Sequence, residues 1–531
     1  MGVRFIALTS IFALLFGALG FNLYTLQIQK GDYYFKTAQA RNEALAQLQM
    51  RRGQIFFTDR SGNAITVALN QDYPVVYAVP KEITDPKATA AALAQKIGWD
   101  EKELETALTA PQSLFRMLVE KATNDQLNAV QDLNLKGIYI DKKQYRFYPF
   151  ERLGSQVLGF VGLNDTAKIP LGLYGAEKYH DNQLADGDGV QLTIDRNLQA
   201  QAEQKLAELV TKNGATGGSI IIEDPMTGKI LTNANYPDFN PNDYRNTPVN
   251  AFLNPSVQYV YEPGSVFKPI TMASGIDQGI ITPDTKYDDK GYVILNGKKI
   301  TNWDHKAYGP GTTMTNVIER SINTGAVFAE QKIGRTIFHD YLVKFGFGEK
   351  TGIDLPDEVK GSLANLERKG AQDIDYATAA YGQGTSVTPI QMINAFSVFA
   401  NGGLLMRPYT DATKSPYVIR RVISEDTAQK VVGMMESAVN KGQVATIPQF
   451  RIAGKTGTAN VPDLVHGGYL DAYVHTFIGI VPITNPKAVI LVKLDRPQGA
   501  EVAAITVVPA FRELASFVLN YYNIPPDKPT Q

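Results

Sequence analysis

The longest apolar stretch of the chain lies near its beginning. Residues Phe5 to Gln29, FIALTSIFALLFGALGFNLYTLQIQ, contain no charged side chain, whereas Arg4 precedes them and Lys30 follows them. About 20 apolar residues in a helix suffice to cross the core of a bilayer. The alternative is a cleaved signal peptide with Ala18-Leu19-Gly20 as its cleavage site, but the apolar region of such peptides is shorter, about 7–15 residues. We therefore predict a membrane anchor and, since no second run of this kind occurs, a single crossing.

The pattern after the anchor predicts a stalk, a hairpin and two folded regions. Residues 30–50 are rich in Ala and Gln with scattered Leu, which indicates a helical stalk. Two β-prone runs, IFFT and AITVAL, flank the turn cluster Asp59–Asn63 and predict a β-hairpin. Residues 70–185 mix short strand-like and helical pieces, as in an α+β region. The loop at 187–189 marks a boundary, and one large α/β domain is expected from about residue 190 onward.

Composition excludes several classes of protein. The chain has 531 residues, 44% of them hydrophobic, and a mean hydropathy of -0.16, which indicates a globular protein rather than a disordered or multi-span one. A formal net charge of -1 gives no reason to expect nucleic acid as a partner, since that would favour a basic face. The lack of cysteine excludes disulfides, cysteine metal sites and a thiol nucleophile.

A Gly-Lys-Thr triplet at 454–456 raises the question of a nucleotide-binding loop. Such a loop also needs a glycine five positions before the Gly-Lys pair, so that backbone N–H groups can turn toward phosphate. Gln449 occupies that position, and the residues between resemble a strand. The five histidines form no H-E-x-x-H motif, and no G-x-S-x-G elbow occurs, so metal-dependent and Ser-His-Asp hydrolases lose support as well. His475 is interpreted as a packed or edge histidine of a strand.

A nucleophile is predicted within the segment YEPGSVFKPI, residues 261–270. A Pro-Gly pair interrupts regular secondary structure there. The residues beyond it can form a helix, because Pro269 falls in the first turn, where proline is tolerated. Ser265 then lies at the helix N-terminus, where the dipole favours a developing anion, and Lys268 lies on the same face. A desolvated lysine beside a second cation can be neutral and act as a base, and Lys455 could supply that cation.

Short motifs of this kind also occur by chance, so their surroundings matter. A second Lys-Thr-Gly at 350–352 lies among loop residues and is interpreted as a turn, whereas the copy at 455–457 is followed by the strand-like runs FIGIVPI and AVILVKL. Ser-x-Asn occurs at 321–323, and its other copy at 61–63 belongs to the hairpin turn. The combination of SVFK, SIN and KTGT, in that order, is the motif set of the penicillin-recognising serine enzymes.

Over nearly its whole length the sequence resembles the class B penicillin-binding proteins, the monofunctional peptidoglycan D,D-transpeptidases. Besides the three motifs, the resemblance includes the segments RRGQIFFTDRSGN, LYGAEKYHDNQL, LTIDRNLQ, EDPMTGKIL, YGQGTSVTPIQM and FIGIVPITNPKAVILVKLDRP. It implies a multidomain α+β fold with four parts: a cytoplasmic tip and transmembrane helix over 1–29, the stalk over 30–50, an elongated non-catalytic pedestal (dimerisation-like) domain over 51–189, and a transpeptidase domain with an antiparallel sheet flanked by helices over 190–531.

The resemblance also implies roles for the motif residues in catalysis. Ser265 is the acylated nucleophile, and Lys268 takes its proton. Lys455 keeps Lys268 uncharged and helps to fix the substrate carboxylate. Ser321 relays a proton to the leaving amine, and Asn323 holds the substrate amide.

A second set of implied roles concerns the substrate. Thr456 and Thr458, with Gly457 between them, bind the terminal carboxylate of a D-Ala-D-Ala stem, and the backbone N–H groups of Ser265 and Thr458 form an oxyanion hole. D-Alanine leaves an acyl-enzyme, which an amine of a neighbouring stem peptide resolves. β-Lactams resemble the D-Ala-D-Ala end and trap Ser265. Neither a metal nor another cofactor is implied.

The Ser321-Ile322-Asn323 motif and the stretch GQGTSVTPIQM resemble the septal, cell-division branch of the family, with the elongation branch as the alternative. The implied partners, besides stem peptides and β-lactams, are the membrane, a polytopic glycosyltransferase and division proteins. The implied location is the cytoplasmic (inner) membrane, with a single span and the catalytic domain on its outer side.

Other interpretations remain open from sequence alone. A D,D-carboxypeptidase or β-lactamase shares the three motifs, but the anchor and the long 51–189 region argue against it. A membrane β-lactam sensor would normally need more than one span or a cytoplasmic output domain, for which Met1–Arg4 leaves no room. A non-catalytic β-lactam-binding scaffold would have no reason to keep all three motifs intact.

Overall fold

A computed structural model of the chain describes residues 2–31, 52–109, 115–163, 170–463 and 465–528. The chain divides into two compact units: the first combines Met1–Arg52 with Asn70–Phe147, and the second combines Gly53–Leu69 with Tyr148–Gln531. This grouping leaves the functional division at residues 189 and 190 as a prediction. The predicted stalk over 30–50 falls almost entirely within 32–51, outside the described residues.

The first unit begins with an apolar helix, Gly2–Tyr24, which continues into a π-helical turn over Thr25–Gln29. The 25 residues of Phe5–Gln29 have a mean hydropathy of 2.0, and none of that stretch is buried. A helix of this length exceeds what the core of a bilayer requires. The prediction of a long apolar helix at the N-terminus is thus confirmed.

The first unit also contains a small α+β core. The second half of the strand Ala64–Ala78 pairs antiparallel with Arg116–Val119 and pairs as well with Ile138–Phe147. A short 3-10 helix, Pro80–Glu82, follows the long strand. Three α-helices complete the core, each beginning after a residue whose side chain accepts a hydrogen bond from the first turn: Pro86–Ile97 after Asp85, Glu101–Leu108 after Asp100, and Asn124–Leu133 after Thr123.

The second unit opens with the predicted hairpin. Strand Ile55–Thr58 pairs antiparallel with the first half of Ala64–Ala78. In the turn between them, the Asp59 carboxylate accepts hydrogen bonds from the backbone N–H groups of Ser61 and Asn63, at 2.8 and 3.0 Å. Such short-range acceptance by an aspartate is what makes this residue type favourable in turns. The hairpin prediction is confirmed.

A five-stranded antiparallel sheet forms the centre of the second unit. Its strands lie in the order Ala453–Pro462, Tyr469–Val481, Ala488–Asp495, Gly217–Asp224 and Lys229–Tyr236. The three strands that come last in the chain therefore pair with the two that come first, and Ala453–Pro462 lies at an edge. Seven of the eight residues in Ala488–Asp495 are buried, because helices cover both faces of the sheet.

One face of the sheet is covered by the helices Arg196–Asn213 and Ala503–Tyr521. The ring of Phe511 on the second helix lies 4.5 Å from the ring of Phe477 on the sheet, centroid to centroid. By length and composition Ala503–Tyr521 could also cross a membrane, but 56% of its apolar window is buried. It is a core helix of the second unit.

The other face of the sheet is covered by the helices Lys268–Asp277, Pro389–Ala400 and Glu425–Gly442. This arrangement confirms the expected antiparallel sheet flanked by helices. The smaller α-helices of this unit are Ser155–Leu158, Gly175–Tyr179, Asp181–Ala185, Pro255–Gln258, Met314–Glu319, Asn323–Ile333, Arg335–Lys344, Ala364–Glu367 and Asp373–Ala379. Its 3-10 turns are Pro241–Asp243, Val249–Phe252 and Gly264–Phe267.

Short strands complete the second unit. Val190–Asp195 runs parallel to Ile55–Thr58. The remaining strands form two-stranded antiparallel pairs: Val161–Leu163 with Pro170–Gly172, Lys286–Asp289 with Gly309–Thr313, Tyr292–Leu295 with Lys298–Thr301, and Leu404–Met406 with Val418–Arg421.

Replacing Phe511 with alanine should destabilise the second unit, because it removes a ring that fastens the last helix to the sheet. The loss of a buried phenylalanine side chain costs about 3–5 kcal/mol. Chemical denaturation of the full-length protein in detergent, followed by circular dichroism, measures the effect. The control is Ile505→Ala on the same helix, where the side chain is 62% exposed and a change within about 0.5 kcal/mol is expected. Equal effects of the two substitutions would contradict this packing.

Candidate active site

Ser265 lies in a tight turn before a buried helix. The turn is a 3-10 helix, Gly264–Phe267, and the α-helix begins at Lys268 with Pro269 in its first turn, as predicted. Sequence reasoning placed Ser265 at the N-terminus of a helix, and the structure shows that the 3-10 turn with Ser265 directly precedes the α-helix. Gly264 has φ of +60°, and a Cβ there would lie 2.9 Å from the Cβ of Ala459. The turn therefore requires glycine at this position.

Ser321 lies in the short connection between the helices Met314–Glu319 and Asn323–Ile333. Its φ is +56°, in the left-handed region that residues other than glycine rarely adopt. Holding a serine in this conformation costs about 1–3 kcal/mol, and such residues are concentrated at functional sites. Asn323 is the first residue of the second helix, so the tight connection places both side chains of the Ser-x-Asn motif at one end of it.

Lys455 lies on the edge strand of the sheet, paired in register with Ile478. Burial alternates along this strand: Lys455 and Gly457 are buried, whereas Thr456 and Thr458 are half-buried. A Cβ on Gly457 would lie 3.0 Å from the carbonyl oxygen of Pro263 and 3.0 Å from a methyl group of Val266. Glycine thus lets the edge strand approach the Ser265 turn closely.

The three motifs meet at the side chain of Ser321. Its hydroxyl oxygen lies 3.2 Å from Nζ of Lys268 and 3.0 Å from Nζ of Lys455. Lys268 also donates to the carbonyl oxygen of Ser321 at 2.6 Å and to Oδ1 of Asn323 at 2.8 Å. Lys455 donates in addition to the carbonyl oxygen of Thr456 at 3.1 Å. The predicted residues Lys268, Ser321, Asn323 and Lys455 are therefore in one hydrogen-bonded group.

The two lysines cannot both carry a charge without a large penalty. Burial, and then the nearby charge of Lys455, hold the pKa of Lys268 well below its ordinary value. Burial lowers the pKa of Lys455 to about 7. A neutral Lys268 amine has two N–H groups, which match its two shortest acceptors, the carbonyl of Ser321 and Oδ1 of Asn323. Its lone pair is then free to accept a proton from a serine hydroxyl.

Ser265 itself is half-buried, and within the described part of the chain no hydrogen bond joins its hydroxyl to Lys268. Such contacts often tighten only when substrate binds. The hydroxyl of Thr458 accepts a hydrogen bond from the backbone N–H of Ala503 at 3.2 Å, and the hydroxyl of Thr456 lies 3.4 Å from Nζ of Lys455. Both threonines line the half-buried side of the edge strand.

Residues with the same short motifs elsewhere in the chain lie in other settings. Lys350, in the second Lys-Thr-Gly, lies in a loop rather than a strand, as predicted. Ser61 lies in the hairpin turn. His475 is fully buried and its Nδ1 lies 2.8 Å from the hydroxyl of Thr506, which confirms the interpretation as a packed histidine. Among the residues that the structure describes, no group of three or more His, Cys, Asp or Glu could hold a metal ion.

Sequence reasoning missed a carboxylate close to the Ser265 turn. Glu262 accepts hydrogen bonds from the backbone N–H of Gly384 and from the hydroxyl of Tyr469, both at 3.0 Å. It thereby joins the start of the Ser265 turn to the loop at Gly384 and to the first residue of strand Tyr469–Val481, and its burial raises its pKa. The signal available in the sequence was an acidic residue directly before the Pro-Gly pair.

The fold and this group of side chains define a class of protein. A serine in a turn before a buried helix, a second serine in a strained connection and two buried lysines, one of them on the edge of an antiparallel sheet, make a penicillin-recognising serine acyl-transfer enzyme. Comparisons with known proteins agree. A family model described as the penicillin binding protein transpeptidase domain matches residues 218–514, and one described as the penicillin-binding protein dimerisation domain matches residues 47–232.

Individual relatives match most of the chain. It is 32% identical to stage V sporulation protein D of Bacillus subtilis, over 92% of this chain and 82% of that protein. It is 29% identical to peptidoglycan D,D-transpeptidase FtsI of Escherichia coli, over 94% of this chain and 89% of that protein. Among solved structures it is similar to penicillin-binding protein 3 of Mycobacterium tuberculosis complexed with aztreonam, with a TM-score of 0.68 and 25% identity over 90% of this chain and 97% of the other.

The chain belongs to the penicillin-binding protein transpeptidase family. The resemblance noted in the sequence is confirmed, as is the expected enzyme class, a serine-type D,D-transpeptidase.

The charge of Lys455 should set the pH range in which Ser265 reacts. With Lys268 as the base predicted from the sequence, a proton can be accepted only by its neutral amine, so the acid limb of the acylation rate should follow the pKa of Lys268. Replacing Lys455 with methionine removes the positive charge that helps to depress this pKa, which then rises. We expect the acid limb of acylation by a fluorescent penicillin to move to higher pH in Lys455→Met. Burial remains as the larger cause of the depression, so the shift should be partial.

The matched control for that experiment is Lys350→Met, which changes the lysine of the other Lys-Thr-Gly triplet. Its pH profile should coincide with that of the wild type. An acid limb that stays in place in Lys455→Met would show that the charge of Lys455 does not act on Lys268.

Proposed function

We propose that this protein is a peptidoglycan D,D-transpeptidase that cross-links stem peptides through an acyl-enzyme on Ser265. The observation that carries the proposal is the hydroxyl of Ser321, shared by two buried lysines beside the Ser265 turn. A neutral amine on one side and a cation on the other provide both a base and a proton donor through a single hydroxyl. Serine acyl transfer needs such a pair twice, once to form the acyl-enzyme and once to resolve it.

Formation of the acyl-enzyme begins with the hydroxyl of Ser265. Its proton passes to the neutral Nζ of Lys268 while its oxygen attacks the carbonyl carbon between the two D-alanines. The negative charge that develops on the carbonyl oxygen is met by the backbone N–H groups of Ser265 and Thr458, an arrangement worth about 2.7–4 kcal/mol per donor in comparable enzymes. The C–N bond then breaks, the departing D-alanine amine receives a proton through Ser321, and an ester on Ser265 remains.

Resolution of the ester reverses these steps with a different amine. The acceptor amine of a neighbouring stem attacks the ester carbonyl and gives up a proton through Ser321. The C–O bond to Ser265 breaks, its oxygen regains a proton from Lys268, and a new amide bond joins the two stems. Before D-alanine leaves, Thr456, whose hydroxyl lies 3.4 Å from Nζ of Lys455, and Thr458 on the same strand hold the carboxylate of the donor stem while Asn323 holds its amide.

The location that fits this substrate is the outer side of the cytoplasmic membrane. The exposed apolar helix over Phe5–Gln29 supports a single-span anchor there. In this proposal residues 30–50 form the stalk, 51–189 form a pedestal that docks a polytopic glycosyltransferase and division proteins, and 190–531 form the transpeptidase domain. A match of the dimerisation-domain family model to residues 47–232 supports a distinct non-catalytic region.

Within the family, the septal branch is the proposed role. The Ser321-Ile322-Asn323 motif and the similarity to a protein named FtsI support it. Depletion of the protein in its own cells tests it, because loss of a septal enzyme gives undivided filaments. Loss of an elongation enzyme gives rounded cells, and that result would assign the protein to the elongation branch.

Ser265→Ala should abolish labelling of the full-length protein by a fluorescent penicillin. Ser61→Ala, in the exposed hairpin turn, is the control and should label like the wild type. Intact-mass measurement should show one adduct that persists, since an enzyme evolved for amine transfer hydrolyses its acyl-enzyme slowly. A rapidly lost adduct would favour a carboxypeptidase or β-lactamase. Labelling of Ser265→Ala would overturn the assignment of the nucleophile.

The wild type should also join two stem peptides when given a lipid-linked disaccharide pentapeptide and polymerised glycan strands. Release of D-alanine together with cross-linked dimers, lost in Ser265→Ala, is the expected outcome. A stable penicillin adduct without dimers or free D-alanine would point to a β-lactam-binding scaffold.

A further inference from the structure

The Ser-x-Asn motif is fastened to a neighbouring strand at two consecutive residues. The side-chain amide of Asn323 donates through Nδ2 to the carbonyl oxygen of Thr301 at 2.9 Å. One residue further on, the backbone N–H of Thr324 donates to Oδ1 of Asn302 at 3.1 Å. Residues 301–302, at the end of strand Lys298–Thr301, are therefore held against the start of the helix that begins at Asn323. We call this set of hydrogen bonds, with the Asp289 carboxylate that joins it, the Asp289 clamp.

A buried carboxylate organises this clamp. Asp289 is 1% exposed, and its two oxygens accept four hydrogen bonds. Oδ1 accepts from the hydroxyl of Thr324 at 2.6 Å and from the backbone N–H of Gly291 at 3.0 Å. Oδ2 accepts from the side-chain amide of Asn302 at 3.0 Å and from the backbone N–H of Tyr308 at 2.9 Å. Charge-assisted bonds of this length are the strong ones in proteins.

The carboxylate also decides which way the amide of Asn302 points. Nδ2 of Asn302 faces the acceptor Oδ2 of Asp289, so Oδ1 faces the backbone N–H of Thr324. The hydroxyl of Thr324 has one hydrogen and three possible acceptors within reach: Asp289 at 2.6 Å, Asn302 at 3.1 Å and the hydroxyl of Tyr287 at 3.2 Å. The shorter, charge-assisted bond to Asp289 takes that hydrogen. Each polar group of the clamp thus has one consistent role.

The orientation of Asn323 follows from the same clamp. With Nδ2 held by the carbonyl of Thr301, Oδ1 of Asn323 faces Nζ of Lys268 at 2.8 Å. A reversed amide would place N–H groups against the N–H groups of the lysine and leave the carbonyl of Thr301 without its donor. Only the observed orientation gives Lys268 an acceptor on the side of Asn323.

We propose that Asp289 is a positioning residue for acylation: by holding Asn302 and Thr324 it fixes the start of the Asn323 helix, so that Asn323 orients the amine of Lys268. This inference rests on the proposed function in one respect, namely that Lys268 takes the proton of Ser265. Asp289 touches neither substrate nor the reacting atoms and acts through Asn302, Thr324 and Asn323.

Asp289→Asn tests the proposal. It keeps the shape of the side chain, but it places an amide N–H group opposite N–H and O–H groups that donate to Asp289 in the wild type. We measure the first-order rate constant of acylation by a saturating fluorescent penicillin, counting only the fraction of protein that eventually labels. We expect it to fall about tenfold or more, since small misplacements of catalytic groups have effects of this size. The acid limb of the pH profile of this rate constant should move to lower pH. The Asn323 acceptor favours the protonated amine of Lys268, so its loss lowers the pKa of that amine.

The matched control is Asp288→Asn, the same change of charge one residue earlier on the same strand, at an exposed position. Its rate constant and pH profile should match those of the wild type within twofold. Thr324→Val is the second variant: it removes one of the four hydrogen bonds to Asp289 and leaves the carboxylate in place. It should lower the rate by a smaller factor and move the acid limb in the same direction.

An Asp289→Asn protein that is less stable but acylates with the wild-type rate constant and pH profile would overturn the proposal, since Asp289 would then serve the fold alone. If Asp289→Asn does not fold, Thr324→Val decides, and wild-type kinetics in that variant overturn the proposal. If the wild type itself forms no adduct, the proposed function fails separately. The inference is then decided by the titration of the Lys268 Cε resonance in lysine-labelled full-length protein, where an unchanged midpoint in Thr324→Val would overturn it.

Discussion

Two lysine amines buried within reach of one hydroxyl are the constraint on which the site depends. Nζ of Lys268 and Nζ of Lys455 lie 3.2 and 3.0 Å from Oγ of Ser321, and both side chains are almost fully buried. Like charges in a site of low dielectric repel strongly, and each also loses its hydration. The arrangement is tolerable only if one amine is neutral. A neutral amine can accept a proton from a serine hydroxyl, and this packing is what supports the proposed role of Lys268 as the base.

The architecture serves to bring those groups together from distant parts of the chain. One lysine comes from a buried helix, the other from the edge strand of the sheet, and the serine between them from a strained connection with φ of +56°. Glycines at 264 and 457 allow the turn that carries Ser265 and the edge strand to approach each other at distances that a side chain would prevent. Burial of Lys268 in the packed interior of the second unit, and then the charge of Lys455, keep the pKa of Lys268 low.

Much of this arrangement could be predicted from the sequence. The apolar helix, the hairpin around Asp59, the strand that carries Lys455 and the three motifs all have local signals, either a hydrophobic pattern or a specific residue set. Long-range features had none. The pairing of Ala488–Asp495 with Gly217–Asp224 joins strands far apart in the chain. The Asp289 clamp lies among short strands and turns, where polar residues follow no period.

The most direct test of this account is the titration of Lys268 in the wild-type protein. Full-length protein labelled with carbon-13 at lysine Cε, in detergent, gives a resonance for Lys268 that is assigned by its loss in Lys268→Arg. The account predicts a midpoint well below the ordinary pKa of lysine, with the amine neutral where the enzyme acylates. A Lys268 that titrates at the ordinary value would contradict the central claim, because the site would then hold two charged lysines and no base for Ser265.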